Sequence, residues 1–426
     1  MERVVLPHRL LRQVTESDPS GSGQRVLKWW TYNNDRFDVA ELEGWSQWSG
    51  AMLSPAHLSI GFALASAAMS APPDSLKSIT FTASEINETS SPFQIDKGDG
   101  RLSTAVFGYG NYVKTVLEPT ISTRLRIDVV HELDPLQIPR SRTADRGISQ
   151  SRVRRFDTFP YLREEEHPDV VFVAGYHHTH ANTAVNCLKR GIDVIVEKPV
   201  ATTREQIAAL RQAIAGSEAR CFAAYQRRYL PCRQQLEAAL GVGIEPVDYF
   251  CVVFEEPLPA RHWYRWPNSR SRLTSNGCHW IDHFLQLNSY YPLKRQSAYL
   301  SSSGAISITL ELTNDALFTM SLSERGSPDR GLRDYIEMSS NNATATIVDS
   351  SVVTISGRRR KPQVFKFNRL SAHRQMYLDI CARLMRDDDQ GDSALEILGA
   401  ADIVVCLEDA LLSHPDKPDE DGPLDP

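Results

Sequence analysis

Between Thr104 and Tyr225, short apolar runs alternate with helix-length amphipathic segments, the rhythm that βαβ units of a parallel sheet leave in a sequence. Strands are predicted at Thr104–Phe107, Leu125–His131, Asp169–Ala174, Asp193–Val196 and Arg220–Ala224. Crossover helices are predicted at Asn182–Lys189 and Thr203–Ile214; the second opens on Thr202 and Glu205 at capping-box spacing and stops at Gly216. From Pro246 the texture changes to longer alternating runs, Val247–Phe254, Ser297–Ser303, Ile306–Leu312, Ala316–Leu322, Tyr335–Met338 and Ala343–Val348, broken by Gly, Asn and Asp. Such runs favour a largely antiparallel sheet. Helices are predicted at Gly277–Asn288, with Ile281, Phe284, Leu285 and Leu287 apolar, and at Gln375–Met385 and Ala394–Leu412. The pattern is that of an α/β chain: a doubly wound parallel domain over 101–225, then an α/β domain over 226–412 on a large, mostly antiparallel open sheet.

The two ends carry a different texture. Residues 1–100 form an N-terminal extension with Ser20-Gly21-Ser22-Gly23 as a joint and Trp29, Trp30, Trp45 and Trp48 in close succession, a density of aromatics that argues for packing but assigns no chemistry. Ala51–Ala71 is apolar but interrupted by Ser54, Pro55, His57, Ser59, Ser66 and Ser70, which suits an amphipathic helix better than a membrane span. The acidic, proline-rich tail 413–426 is expected to be disordered.

Composition narrows the function classes. With 426 residues, 41% hydrophobic and 23% charged, the chain is an ordinary globular one with room for two domains or more. A net charge of −6 gives no reason to expect nucleic acid as a partner. Seven scattered cysteines without a Cys-x-x-Cys pair fit free thiols in a reducing compartment, and no secretory signal follows Met1, so the expected location is cytoplasmic.

The first candidate site is a turn. Gly108-Tyr109-Gly110 follows the first strand and precedes a helix starting near Asn111 and Tyr112, the strand, tight turn and helix N-terminus that a pyrophosphate requires. Val113 stands where the usual fingerprint has a third glycine. About two dozen residues on, the second strand ends in an acidic stretch, and Glu132, or failing it Asp134, can accept ribose hydroxyls and repel a 2′-phosphate. NAD or NADP is therefore the expected cofactor, with NAD favoured. The second is Glu197-Lys198-Pro199, where a cation closes an apolar strand just before a rigid turn, at the carboxyl edge where ligands of open α/β sheets bind.

These segments resemble the Gfo/Idh/MocA family of nicotinamide-dependent oxidoreductases from about Thr104 to His414. The carrying residues are Gly108-Tyr109-Gly110, Asp169-Val170-Val171-Phe172-Val173 with His180, Gly191 through Glu197-Lys198-Pro199, Arg228-Tyr229-Leu230-Pro231, and Gly277-Cys278-His279-Trp280-Ile281-Asp282. The resemblance implies a Rossmann domain followed by an α/β domain whose open sheet often serves as a dimer interface, hence a homo-oligomer, dimer or tetramer. It also implies that Lys198, with Glu197, Pro199 and His180 near it, lies by the nicotinamide, and that His279 is the general acid or base. Such a pair suits hydride chemistry at a carbinol, because the hydroxyl proton must leave as the hydride does.

Two departures sharpen the expectations. Many dehydrogenases of the family carry an aspartate four residues before the histidine; here Ser275 stands there, so Ser275 joins Lys198 and His279 in the catalytic set with an altered relay and more of the proton handling is expected of Lys198. The loop before the helix, often glycine-rich, reads Asn268-Ser269-Arg270-Ser271-Arg272, just after Arg261, Trp263, Tyr264, Arg265 and Trp266. Arginine forks suit anions and aromatics suit sugar or base faces, so Arg270, Arg272 and Trp266, together with Arg228 and Asp282, form the expected substrate-binding set. A solvated basic loop is the alternative, and Asp282 would otherwise anchor its helix or orient His279. His177-His178-Thr179-His180 bunch too tightly for a metal site, and Arg358-Arg359-Arg360-Lys361 reads as a hairpin turn. The expected activity is oxidoreduction of a secondary alcohol or ketone of a sugar, cyclitol or related polar, even anionic, small metabolite, at neither a membrane nor a nucleic acid. The alternatives are imine reduction or redox-assisted elimination on the same fold, and a nicotinamide-binding regulator or scaffold without turnover.

Overall fold

The computed structural model describes residues 100–132, 153–155, 161–258, 262–265, 267–340, 342–357 and 361–413, together with short strands at Val4–Leu6, Val14–Ser17, Gln24–Leu27, Asp38–Ala40 and Ile79–Thr80. The tryptophans and the Ser-Gly joint of the N-terminal extension, Asp134, Trp266, Arg358 to Arg360 and the acidic tail lie outside the described residues. By its internal contacts the chain divides into Met1–Tyr176 with Asn182–Ile195, and His177–Ala181 with Val196–Pro426.

A six-stranded sheet is built from β1 (Leu102–Phe107), β2 (Leu125–His131), β3 (Val153–Arg155), β4 (Val170–Val173), β5 (Asp193–Glu197) and β6 (Cys221–Ala224), in the order β3-β2-β1-β4-β5-β6. The pairs β1·β2, β1·β4 and β2·β3 are parallel. The order reverses beside β1, the switch point at which doubly wound sheets bind ligands. β1 and β4 are buried almost throughout, as strands covered on both faces are, β4 wholly apolar and β1 apolar but for Ser103 and Thr104.

After β1 the chain coils through a π turn, Val113–Leu117, into α1 (Glu118–Ile121); α2 (His180–Lys189) precedes β5, and α3 (Arg204–Ala215) precedes β6. The capping expectation is off by one residue. Thr203 is the N-cap, its side chain accepting from Gln206 N–H, while Gln206 Oε1 accepts from Thr202 N–H at 2.8 Å. Gly216 caps the other end.

The second sheet has eight strands: β7 (Asp248–Phe254), β8 (Leu293–Leu300), β9 (Ile306–Leu312), β10 (Leu317–Ser323), β11 (Arg333–Ser340), β12 (Ala343–Val348), β13 (Val352–Ser356) and β14 (Gln363–Lys366). Their order is β8-β9-β10-β7-β11-β12-β13-β14, antiparallel except for β7 beside β10. One face is core, with Tyr249, Cys251, Val253, Phe318, Met320, Leu322, Ile336 and Met338 buried. Helices α4 (Arg233–Leu240), α5 (Cys278–Leu287), α6 (Ser371–Leu384) and α7 (Ala394–Ser413) complete this part of the chain. Among the described residues no helix is long and apolar enough to cross a membrane.

Candidate active site

The turn after β1 needs glycine at its first position for two reasons. Gly108 has φ of 86°, and a Cβ there would lie 2.5 Å from the Ala174 carbonyl oxygen and from Gly175 Cα. Its N–H donates to the His131 carbonyl at 2.8 Å, so the turn is stitched to the end of β2. At Gly110 a Cβ would meet nothing within 4 Å, so protein packing does not demand glycine there. What the missing side chain leaves open is the space above the turn, through which a phosphate can approach the unpaired N–H groups of a helix N-terminus. Val113 is fully packed and opens the π turn, a wider coil than an α-helix.

Glu132 follows β2 directly and is buried, its carboxylate accepting the Tyr109 N–H at 2.5 Å. The amide offered by Tyr109 is thus taken by an acid, and the Tyr109 hydroxyl donates to Glu118. Beneath the turn, His131 stacks on Phe107 at 4.1 Å and pairs with Glu166 at 3.0 Å. An open turn with an acid fixed at the end of the second strand fits a dinucleotide.

A second set of residues gathers around Lys198. The Lys198–Pro199 peptide is cis, and His180 Nδ1–H donates to the Pro199 carbonyl at 2.8 Å, so His180 holds the turn. Glu197 accepts from the Tyr377 hydroxyl. The half-buried Lys198 Nζ donates to the Ser275 carbonyl at 3.1 Å and to Asn276 Oδ1 at 3.3 Å. Burial pulls the ammonium's pKa down, but Tyr264, Cys278, Glu197 and Glu255 outweigh it and the net shift is upward from the ordinary lysine value. Of these four neighbours, the two carboxylates are the ones that carry negative charge at neutral pH.

His279 is the second residue of α5, which a π turn, Leu273–Gly277, leads in. A Cβ at Gly277 would come within 2.7 Å of Leu273 Cδ1 and 3.2 Å of Met320 Cε, so glycine lets the helix start press onto β10. His279 is 9% exposed, lies edge-on to Tyr225 and Trp280, and its Nδ1 has no hydrogen-bond partner among the described residues. Burial, then the charges of Lys198 and Arg227, hold its pKa well below the ordinary histidine value, so the ring is neutral at physiological pH. Ser275 is fully buried and its Oγ is also without a partner, as are the Tyr225 hydroxyl and His177 Nδ1. His177 packs on Trp263 and Tyr264 at 4.4 and 4.7 Å. Among the described residues no cluster of three or more His, Cys, Asp or Glu is arranged to hold a metal.

The arginines expected to clamp a substrate have partners within the chain. Arg228 makes a two-pronged bond to Asp282 at 2.9 and 2.5 Å and also reaches the Glu396 carbonyl. Both residues are buried, and the pair anchors the Asp282 helix through Arg228. Arg270 donates to the Thr202 carbonyl at 3.0 Å and lies 3.6 Å from Asp409. Arg272 pairs with Glu255 and lies 3.5 Å from Glu324. The basic run thus serves to tie the loop down. Conversely, the sequence reading passed over Glu255, Asn276, Tyr225 and His373. The first had a visible signal: like Lys198, it is a charge placed just beyond a strand end.

The family whose model matches residues 102–225 is the oxidoreductase family with an NAD-binding Rossmann fold, Gfo/Idh/MocA. The Bacillus subtilis protein YteT, provisionally named an oxidoreductase, is 27% identical over 180 residues, 41% of this chain and 41% of its own length. The chain thus matches about two-fifths of that curated relative. Among solved structures, a dehydrogenase from Chromobacterium violaceum superposes with a TM-score of 0.59 at 16% identity, covering 74% of this chain and 95% of the other. A levoglucosan dehydrogenase in complex with NADH and L-sorbose superposes with a TM-score of 0.58 at 13% identity, covering 74% and 96%. Those likenesses establish the fold, and residues 102–225, with their glycine turn and parallel sheet, match the NAD-binding Rossmann domain of the Gfo/Idh/MocA oxidoreductases.

Proposed function

We propose that the protein is an NAD(P)-dependent oxidoreductase that moves a hydride to or from a secondary alcohol or ketone of a sugar, cyclitol or similar polar metabolite. The observation that carries this reading is the group of a charged lysine, a neutral histidine and an unpartnered hydroxyl: Lys198, His279 and Ser275. Bound nicotinamide supplies or accepts the hydride. Lys198 Nζ, charged and with one N–H beyond its two protein acceptors, hydrogen-bonds the substrate oxygen and stabilises negative charge on it. The neutral imidazole of His279 takes the hydroxyl proton in oxidation and returns it in reduction. This division replaces the idea that Lys198 takes over proton transfer, because a lysine held above its ordinary pKa is a poor base at neutral pH.

The engagement of Arg228, Arg270 and Arg272 within the chain favours an uncharged polyol or keto sugar over an anion, and a levoglucosan dehydrogenase on this fold is in keeping with that class. Glu132 favours NAD over NADP by repelling a 2′-phosphate.

The test is absorbance at the reduced nicotinamide band over a panel of sugars, cyclitols and keto compounds. Lys198→Ala and His279→Ala are each expected to lose about a hundredfold or more in kcat while retaining cofactor affinity. Cofactor binding by the wild type with no turnover on any compound would instead point to a nicotinamide-binding regulator.

A further inference from the structure

Lys198 has three N–H donors and two protein acceptors, so the direction of the third depends on how firmly the first two are held. The Ser275 carbonyl is backbone, inside the π turn, and is fixed by it. Asn276 is different, because an amide side chain can present either its oxygen or its NH2 to a neighbour. Here its Nδ2 donates to Glu255 Oε1 at 2.5 Å. A carboxylate only accepts, so the amide must turn its NH2 to Glu255 and its Oδ1 to Lys198.

Glu255 is itself immobilised. It directly follows β7, and its N–H donates to the Ser323 carbonyl at 2.8 Å while its own carbonyl accepts from Gly326 N–H at 2.9 Å. A Cβ at Gly326 would lie 2.7 Å from that carbonyl oxygen, so the strand end and the following turn are in close contact. The side chain is 1% exposed and paired with Arg272, which in turn sits 5.7 Å from the Tyr264 ring centroid. The arginine thus keeps a buried carboxylate in place behind Asn276.

We propose that Glu255 is a positioning residue for Lys198: through the Asn276 amide it sets the direction in which the ammonium offers its third N–H, and it supplies beside the site the negative charge that Ser275 cannot. The inference rests on the reading that Lys198 binds the substrate oxygen. Lys198 is faced by Glu197 on its own strand end, Tyr264 from the turn before the loop, Cys278 and His279 from α5, His177 from the turn before α2, His373 from α6, and Glu255. Of these, Glu255 is the carboxylate linked to Lys198 through a hydrogen-bonded side chain.

Two variants separate the charge from the link: Glu255→Gln keeps an acceptor for Asn276 and removes the charge, while Asn276→Ala leaves the Glu255–Arg272 pair intact and removes the link. The titration of Lys198 is read directly by NMR of protein labelled with [ε-13C]lysine, the resonance being assigned with Lys198→Arg. Lys198 is expected to titrate at lower pH in both variants, and kcat is expected to fall about tenfold, the size of one charged hydrogen bond, with KM little changed. Should Glu255→Gln not fold, Asn276→Ala decides. A Lys198 titration unchanged from wild type in the folded variants overturns the proposal. Because the NMR readout needs no turnover, it stands apart from the functional reading, which fails on its own if Lys198→Ala turns over like the wild type.

Discussion

Lys198 and His279 lie in the same surroundings and are pushed to opposite states, the lysine above its ordinary pKa and the histidine below. Burial opposes charge on both, but Tyr264, Cys278, Glu197 and Glu255 outweigh it at the lysine, and the lysine's own charge adds to the burden on the histidine. The same logic reaches other histidines. Burial, then nearby cations, lowers His373 to about 4 and His283 to about 3, and depresses His177 as well. In the unfolded chain these rings bind a proton as pH falls below about 6.5, whereas the folded chain resists it. Their contribution to stability is therefore intact above that pH and is lost as pH falls toward the folded values. The urea midpoint is expected to drop steadily from pH 7.5 to pH 5, and His373→Gln to flatten that slope; a midpoint independent of pH over this range would show that the buried rings are not held neutral.

At the scale of the element, hydrophobic period found α5 to within a residue at each end, because Ile281, Phe284, Leu285 and Leu287 all point into the core. It could not find what holds the loop before it. Glu408, on α7 and 134 positions from Thr274, accepts on one oxygen from Thr274 N–H and Oγ1 at 3.2 and 2.8 Å and from Ser271 N–H and Oγ at 3.3 and 2.5 Å. Replacing it by alanine leaves these donors without their acceptor in a buried site, which should cost about 2–4 kcal/mol. Glu408→Ala is expected to lower the melting temperature and to weaken catalysis together, while Glu408→Gln, which keeps the acceptor, loses much less; equal melting temperatures for the two would remove Glu408 from this role. Elements with little buried area escaped the pattern. Helix α4 buries only Leu236 and Leu240, and β14 at the sheet's edge has no alternation of buried and exposed residues.

For the whole molecule, the eight-stranded sheet has a second face. Across it run Phe250, Val252 and Phe254 of β7, Tyr335 of β11, Val348 of β12 and Tyr299 of β8, each more than a third exposed. Val252 is paired with Tyr335, and Tyr335 with Val348, so these three form an apolar row flanked on β7 by Phe250 and Phe254, while Ser307 and Ser321 separate Tyr299 from it. We infer that this apolar row joins copies of the chain into a homo-oligomer. The double variant Phe250→Lys, Phe254→Lys is expected to reduce the mass measured by light scattering to that of one chain without lowering the melting temperature of the protomer, since neither ring contributes to the core. An unchanged mass would place the interface elsewhere.

Most of the strands and helices, and the candidate residues at the strand ends, are legible along the chain: the period-two and helical runs, the glycine turn at Gly108, the lysine at 198 and the histidine at 279. These are local properties, set by which side chains must be buried and which backbone angles are allowed. What the polar groups pair with emerges in three dimensions, because their partners come from distant segments. Arg270 and Arg272 look like ligand contacts along the chain and are spent in space on Thr202, Asp409, Glu255 and Glu324. Glu255 and Asn276 meet at Lys198 because β7 and the turn before α5 converge on the end of β5, and that convergence depends on the packing of the sheet rather than on any local pattern.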